Sequence, residues 1–583
     1  MLEKTQLFQE WTKTLCLTCA ALRPDDLLAP ANTHVQADAA TRLPVYSVED
    51  IANQLVFGYW EYTGGGWRRF DLDESRRVTV DFGPLGETET MLARAALDAW
   101  SDVTGITFVE FATRFETGDA GGTLAKAVAV DMNSQFIGNI RSPNDIDTLA
   151  VHLEAGKTYT FTMAGNGFMP MLDPVLGLKN AAGKLIALND DAHSETYSSE
   201  LTFTPRNSGT YYLLAGTATR GDSGDYRIVL SEGAALDGGA DITFDNSDSG
   251  AYSNSSLDGN TILSSYINIA TNWDADPMSI NSYWFQTYIH EIGHALGLGH
   301  AGNYNGSAQY PTDAHYANDS VLNSIMSYFP QWENDFYDAS AGYLATVMPA
   351  DILAIQALYG TDFDTRAGNT TYGAHSNVGG YLGRLFAQAL GEQPVEQEVL
   401  IGNGIVLTLF DTGGHDTVDL SPVEYAQEIL LTAGTLSSIG GGRHNMAIAP
   451  GTVIEDAIGG TKADRITGNA VDNRLSGMGG ADRLQGGGGA DTLAGGAGND
   501  RLIGGTGGDT FRFTGGRDVV TDFTDDVDRI VLQRSLLGGA SLDEVLDAAR
   551  VEAGSVVFRL GGASLTLLGF DDLAALADDL LLG

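Results

Sequence analysis

Between Gly459 and Phe511 the chain repeats itself every nine residues, and that interval constrains its fold more than any other feature. Glycine opens each unit at positions 459, 468, 477, 486, 495 and 504, followed in register by Asp464, Asn473, Asp482, Asp491, Asp500 and Asp509. One apolar position closes each unit: Ile466, Leu475, Leu484, Leu493, Leu502 and Phe511. Glycine permits the turn and the apolar residue points inward from a short strand, a regularity that a disordered glycine-rich linker lacks. Side chains two units apart, such as Asp482 and Asp500, are separated by eighteen residues. Lys462 and Val471 stand where glycine is expected and Asn473 replaces aspartate, so the first two units depart from the pattern.

This repeat is similar to that of calcium-binding parallel β-rolls, which implies Ca²⁺ on the six register positions. Composition agrees with a chain that meets calcium rather than polyanions. The formal charge is -44, from 76 acidic against 32 basic residues, which argues against nucleic acid and anionic membrane as partners. At 583 residues several domains are expected. Cys16 and Cys19 are the only cysteines, so no disulfide framework supports the body, and their C-x-x-C lacks the second pair a zinc site needs. No stretch is apolar enough to span a membrane, and the N-terminus lacks the apolar core of a conventional signal peptide.

The chemistry is concentrated in Tyr288–His300, which reads Tyr-Ile-His-Glu-Ile-Gly-His-Ala-Leu-Gly-Leu-Gly-His. His290 and His294 are four residues apart and share one face of a helix, one turn above the other, where two imidazoles can meet one cation. Glu291 is one step round the helix, close enough to reach a bound water without being a ligand. Gly297 permits a turn that returns His300 to the same cation. Three histidines leave the fourth position of a tetrahedral Zn²⁺ open, as a catalytic zinc requires.

H-E-x-x-H-x-x-G-x-x-H resembles the metzincin signature, a superfamily that also needs a methionine turn. Ser324-Ile325-Met326-Ser327-Tyr328 resembles that turn as the serralysin family carries it. The resemblance implies that Met326 lies beneath the histidines and that Tyr328 is an additional, displaceable zinc ligand that later stabilises the oxyanion. Phe410–Asp419 resembles the serralysin D-x-G-G-x-D-T-x-D loop, which implies Asp411, Asp416 and Asp419 as calcium ligands with His415 as a spacer.

Along the chain, residues 1–44 read as a leader or propeptide-like segment. Residues 45–116 read as the first part of an α+β metzincin catalytic domain, with a helix from Val48 to Leu55, a strand from Arg77 to Phe82, a helix from Thr88 to Val103 and a strand from Ile106 to Phe111. Short alternating segments over 117–234 predict an inserted antiparallel β-sandwich. Its Asn144-Asp145-Ile146-Asp147, Asn189-Asp190-Asp191 and Ser208-Gly209-Thr210-Tyr211-Tyr212 resemble the bacterial prepeptidase C-terminal domain. Asp145, Asp147, Asp190 and Asp191 either hold a calcium or solvate a sandwich edge. Residues 235–360 complete the catalytic domain, with Ala240–Phe244 expected as an edge strand beside the cleft, where an extended substrate would pair with it, and a closing helix from Pro349 to Tyr359. From about Thr361 the helical signal fades, and 361–583 read as the roll. Its acidic, leucine-rich end, Asp571–Gly583, resembles the signal of proteins exported through a type I, ABC-transporter channel.

These features predict a multidomain, monomeric, secreted zinc endopeptidase acting on proteins or peptides, with a zinc-activated water and Glu291 as general base. Calcium outside the cell is expected to fold the roll after export. The alternatives are a non-proteolytic RTX adhesin or surface-layer protein with a degenerate protease module, and a partner-restricted enzyme whose sandwich binds the substrate.

Overall fold

The computed structural model describes residues 43–118, 120–142, 145–165, 171, 173–190, 198–218, 223–233, 240–272 and 277–583. Most of the leader-like segment, with Cys16 and Cys19, lies outside the described residues, as do Asn144 and Asp191.

The strands Thr107–Glu110, Arg77–Asp81, Ile242–Asp245 and Thr261–Ile269 pair in that order, all parallel. Ala251–Asp258 then adds an antiparallel edge to Thr261–Ile269. Two helices, α1 (Glu87–Thr104) and α2 (Tyr283–Ala295), pack against each other and carry the core of this unit. Leu92, Ala93, Ala96, Leu97, Trp100 and Val103 recur at three- and four-residue intervals on the buried face of α1. Gly105 ends the helix at φ 64°, a left-handed C-cap. Trp100 crosses to α2, where its indole N–H donates to the Ile289 carbonyl at 2.9 Å.

The edge strand differs from expectation. Ile242–Asp245 is an interior strand, its Ile242 and Phe244 fully buried between two parallel neighbours, and the edge beside α2 is Ala251–Asp258. That segment reads Ala-Tyr-Ser-Asn-Ser-Ser-Leu-Asp, and polar composition of this kind suits an exposed edge while hiding it from a search for apolar alternation. The N-terminal helix also differs. It is α-helical over Val48–Asn53, widens to a π-helical turn over Gln54–Gly58, and returns to α over Tyr59–Tyr62.

Between Phe111 and Ala240 two five-stranded sheets face each other around a core of their own, including Phe136, Leu149, Phe161, Leu176 and Ile228. All strand pairs in them are antiparallel except Ala112–Phe115 with Ser134–Ile140 and Val128–Ala129 with Asp147–Leu153. Ala112–Phe115 thus pairs with this unit rather than with the segment ending at 116.

The C-terminal part is a β-roll. Two eight-stranded sheets carry alternate units, and the register advances by eighteen residues per coil, from Arg465↔Arg483 to Arg483↔Arg501 and from Arg474↔Thr492 to Thr492↔Thr510. Ile466, Leu475, Leu484, Leu493, Leu502 and Phe511 fill its interior. A Cβ on Gly498 would stand 1.4 Å from the Gly480 carbonyl oxygen, and one on Gly480 would stand 2.3 Å from that of Lys462, so each coil demands glycine over the coil before it. Lys462 escapes the demand. It begins the stack on its edge, where the pairing interval below it becomes Glu428↔Arg465, thirty-seven residues instead of eighteen.

Residues after 361 are not free of helices: Gly380–Ala389 and Leu542–Ala548 are both helical. Gly380 and Gly383 dilute the first signal, yet Leu382, Leu385 and Phe386 are buried, and Tyr381 packs on Phe285 of α2 with ring centroids 5.5 Å apart. Leu580–Leu582 pairs in parallel with Arg529–Leu532, closing one sheet of the roll. Among the described residues no helix is long and apolar enough to cross a membrane.

Candidate metal centre and catalytic cleft

Helix α2 presents His290 and His294 on adjacent turns, and the chain turns back at Gly297, φ 109°, to bring His300 beside them. One ring nitrogen from each of the three lies within 4.8 Å of the others. Nδ1 of His290 meets the Ile325 carbonyl and Nδ1 of His294 the Leu298 carbonyl, each at 2.8 Å, which places the proton on Nδ1 and leaves both Nε2 lone pairs free. Nε2 of His294 and of His300 stand 3.0 Å apart, close to the ~3.3 Å edge of a tetrahedron with zinc–nitrogen bonds of about 2.05 Å. Burial holds the His290 imidazole down at about 4, and burial with neighbouring His290 holds His294 down at about 3, so both rings are neutral, as ligands must be. The donor set fits Zn²⁺.

Glu291 is buried, and its Oε2 has no hydrogen-bond partner. Burial alone pushes its carboxyl up to about 8. Met326 is fully buried under α2, where a Cβ on Gly293 would come within 2.8 Å of its sulfur. Tyr328 stands with its ring 4.6 Å from that of His300 and its hydroxyl accepting from the Gly306 N–H at 3.4 Å, and burial pushes its phenol up to about 12. A cleft of about 690 Å³ joins His290, Glu291 and Tyr328 to the edge residue Ala251 and to the loop Pro330–Glu333. Among the described residues, none of its lining comes from the inserted sheets.

Three supports are invisible in the motifs. The first is Asp351, at the start of the helix Pro349–Tyr359, which accepts from the Ser324 hydroxyl at 2.6 Å and from the backbone N–H groups of Ile325 and Met348 at 2.7 and 3.0 Å. It fastens the methionine turn, and burial pushes its carboxyl up to about 7 against those donors. The second is Asp319, which accepts from the hydroxyls of Tyr304 and Ser327 below the ring stack of Tyr304 and Tyr328. The third is the N-terminal segment, where the Trp60 indole N–H donates to the Gly297 carbonyl at 2.8 Å and the Tyr59 ring stands edge-on to His300, centroids 4.8 Å apart.

In the roll, aspartates of successive coils are joined. The backbone N–H of Asp464 donates to Oδ1 of Asp482, that of Asp482 to Asp500, and that of Asp491 to Asp509, at 2.8, 2.9 and 2.9 Å. The other oxygens, Oδ2 of Asp482, Asp491 and Asp500, are buried without a partner, a fit for a hard cation. Asn473 instead donates its own Nδ2 to the Glu455 carbonyl. The ladder runs two steps past the repeat, through Asp518 and Asp528, which the nine-residue count misses because Asp518 lacks an opening glycine and Asp528 arrives one residue late. Asp411 and Asp416 lie together beside Glu455, with one Asp416 oxygen unpartnered, whereas Asp419 is turned to His375 at 3.1 Å. His415 faces Asp456. In the insert, Asp145 accepts from the Arg141 backbone N–H and Asp147 from the Tyr226 hydroxyl.

Residues 361–560 match the family model described as peptidase M10 serralysin C terminal. Metallopeptidase AprA of Pseudomonas marginalis is 40% identical over 195 residues, 33% of this chain and 38% of that protein. Serralysin G of Dickeya chrysanthemi is 42% identical over 194 residues, 33% of this chain and 37% of that protein. The chain therefore spans less than two-fifths of the length of the curated relatives it matches. Among solved structures, the pre-peptidase C-terminal domain of a Bacillus anthracis collagenase is 16% identical over 18% of this chain and 94% of its own, with a TM-score of 0.15, too low to carry an argument.

Proposed function

From the premise that the chain belongs, through its C-terminal third, to the serralysin family, we propose that it is a secreted zinc endopeptidase that folds with calcium and cleaves peptide bonds of proteins. The observation that carries this reading is the convergence of three neutral imidazoles beside one buried, unpartnered carboxylate in an open cleft. A zinc ion held by His290, His294 and His300 would lower the pKa of water and polarise the scissile carbonyl.

The chain's own groups do the rest. The carbonyls of Ile325 and Leu298 fix the tautomers of His290 and His294, so those rings need no reorganisation. Glu291 accepts the proton of the attacking water and returns it to the leaving amine. Its raised pKa suits the second half of that task, and a nearby dication would lower it for the first. Tyr328, neutral at working pH, donates its hydroxyl proton as a hydrogen bond to the developing oxyanion. The clustered aspartates of the roll would repel one another without calcium, which couples folding to the extracellular ion and suits export of an unfolded chain through a type I channel. An adhesin would leave the three converging imidazoles without a use.

Glu291→Ala tests the assignment. The variant is expected to bind one equivalent of zinc and to lose casein hydrolysis by at least ~10³-fold, since it removes the proton acceptor and spares the ligands. Full hydrolysis by that variant would defeat it.

A further inference from the structure

We propose that Trp332 and Glu333 form a subsite that selects substrates carrying a lysine or arginine side chain, an inference that rests on the peptidase reading above. Both residues line the cleft that contains Glu291 and Tyr328. They sit on a tight turn, closed by the Glu333 N–H donating to the Pro330 carbonyl at 3.0 Å.

The turn is held from both sides by buried amides. Gln331, 1% exposed, donates to the carbonyls of Ser340 and Gly342 at 3.0 and 2.9 Å. Asn334, also 1% exposed, donates to the carbonyls of Ala317 and Asp319 and accepts from the Phe336 N–H at 2.8 Å. Between these two anchors Trp332 remains 51% exposed. The amide nitrogens of Gln331 and Asn334 tie both flanks of the turn to the backbone around it, so the turn holds the indole out in the cleft wall.

What it presents to is set by charge. Among the described residues that line the cleft there is no lysine or arginine, and the carboxylates are Glu291 and Glu333. Glu291 is engaged in proton transfer, which leaves Glu333 as the carboxylate free to pair with a substrate side chain. An indole face attracts cations through its quadrupole, and a carboxylate on the next residue adds a charge-assisted partner. An arginine or lysine stem would cover the indole while its head reached Glu333. A purely apolar side chain would cover the indole but strip water from Glu333 without replacing it, and an acidic one would be repelled. The net charge of -44 favours approach of basic segments to this wall.

The test uses the full-length protein loaded with calcium and zinc, and internally quenched peptides that differ only by Arg, Lys, norleucine or Glu at each position around the cleaved bond. At one position Arg and Lys should exceed norleucine in kcat/KM by roughly ten-fold, mainly through KM, and Glu should be worst. Glu333→Gln and Trp332→Leu should each shrink the Arg-to-norleucine ratio by at least ~3-fold, and Glu333→Lys should turn the preference toward Glu. Cleavage without a cationic preference, or a preference unmoved in Glu333→Gln, overturns this inference alone. No cleavage of any peptide by zinc-loaded protein overturns the peptidase reading, and this inference with it.

Discussion

The backbone N–H of Gly299 donates to the carbonyl of Leu55 at 2.7 Å, tying the loop that carries His300 to the π-helical turn Gln54–Gly58. In that turn Tyr59 N–H reaches back to the Gln54 carbonyl, five residues away, so the ladder is one residue wider than in the α-helix on either side. The widening re-aims the Leu55 carbonyl out of the helix toward the histidine loop. With the Trp60–Gly297 bond and the Tyr59 ring, it makes the N-terminal segment a brace for the third imidazole.

Gly299→Ala should therefore act on metal binding before it acts on the fold. A Cβ there would stand 2.6 Å from the Tyr59 Cβ, an overlap that costs about 1–3 kcal/mol and is relieved by lifting the loop. We expect zinc affinity, measured by competition with a chromophoric chelator, to fall about ten-fold or more, with a melting temperature only a few degrees lower. Unchanged affinity would mean that the brace does not hold His300.

Asp351→Ala should loosen the methionine turn. It leaves the Ser324 hydroxyl and two backbone N–H groups without their acceptor, at roughly 1 kcal/mol or more each. A loss of about 3 kcal/mol in denaturant unfolding is expected, against about 1 kcal/mol for Asp351→Asn, which keeps one oxygen in place. Equal losses in the two variants would show that volume, not hydrogen bonding, matters there.

These supports mark where the sequence stops being legible. His290, His294, Gly297 and His300 are readable because one helix and one turn bring them together, so spacing is geometry. The roll is readable for the same reason, since each coil meets the next at a fixed eighteen residues. Asp351 meets Ser324 across twenty-seven residues and Leu55 meets Gly299 across far more, and no local period records either contact. Ala251–Asp258 escapes because an exposed edge carries serine and asparagine where interior strands carry apolar alternation. Placing Ile242–Asp245 at the edge is the converse error: a strand buried between neighbours is apolar enough to find, but its sequence says nothing of how many neighbours it has.

Calcium binding should weaken in acid. Burial pushes the carboxyls of Asp482, Asp491 and Asp518 up to about 7 and that of Asp416 up to about 6. In calcium-free protein a raised folded-state pKa gives stability that is full below the ordinary carboxylate range and is lost as pH rises through about 7. Calcium reverses the sign, because the ion needs deprotonated oxygens and must displace those protons. The midpoint of the calcium-induced change in far-UV circular dichroism should be about ten-fold or more higher at pH 5.5 than at pH 7.5, with proton release in calorimetry. Equal midpoints would remove these aspartates from the binding sites.

The inserted sheets should be dispensable for chemistry. They leave the parallel sheet after Thr107–Glu110 and return at Ile242–Asp245, and Glu110 and Ile242 are both in register with Val80 on the strand between them. Two inter-strand spacings, about 10 Å, therefore separate the points of exit and return, a gap that a linker of four to six residues spans. The insert has its own core and, among the described residues, contributes nothing to the cleft lining, so neither part loses its interior when they are separated. Replacing residues 112–240 by a short Gly/Ser linker is expected to leave kcat/KM on short peptides within about three-fold and zinc content unchanged. A larger loss on folded proteins than on peptides would place substrate capture in the insert, whereas a collapse on peptides would show that the sheets stiffen the strands they interrupt.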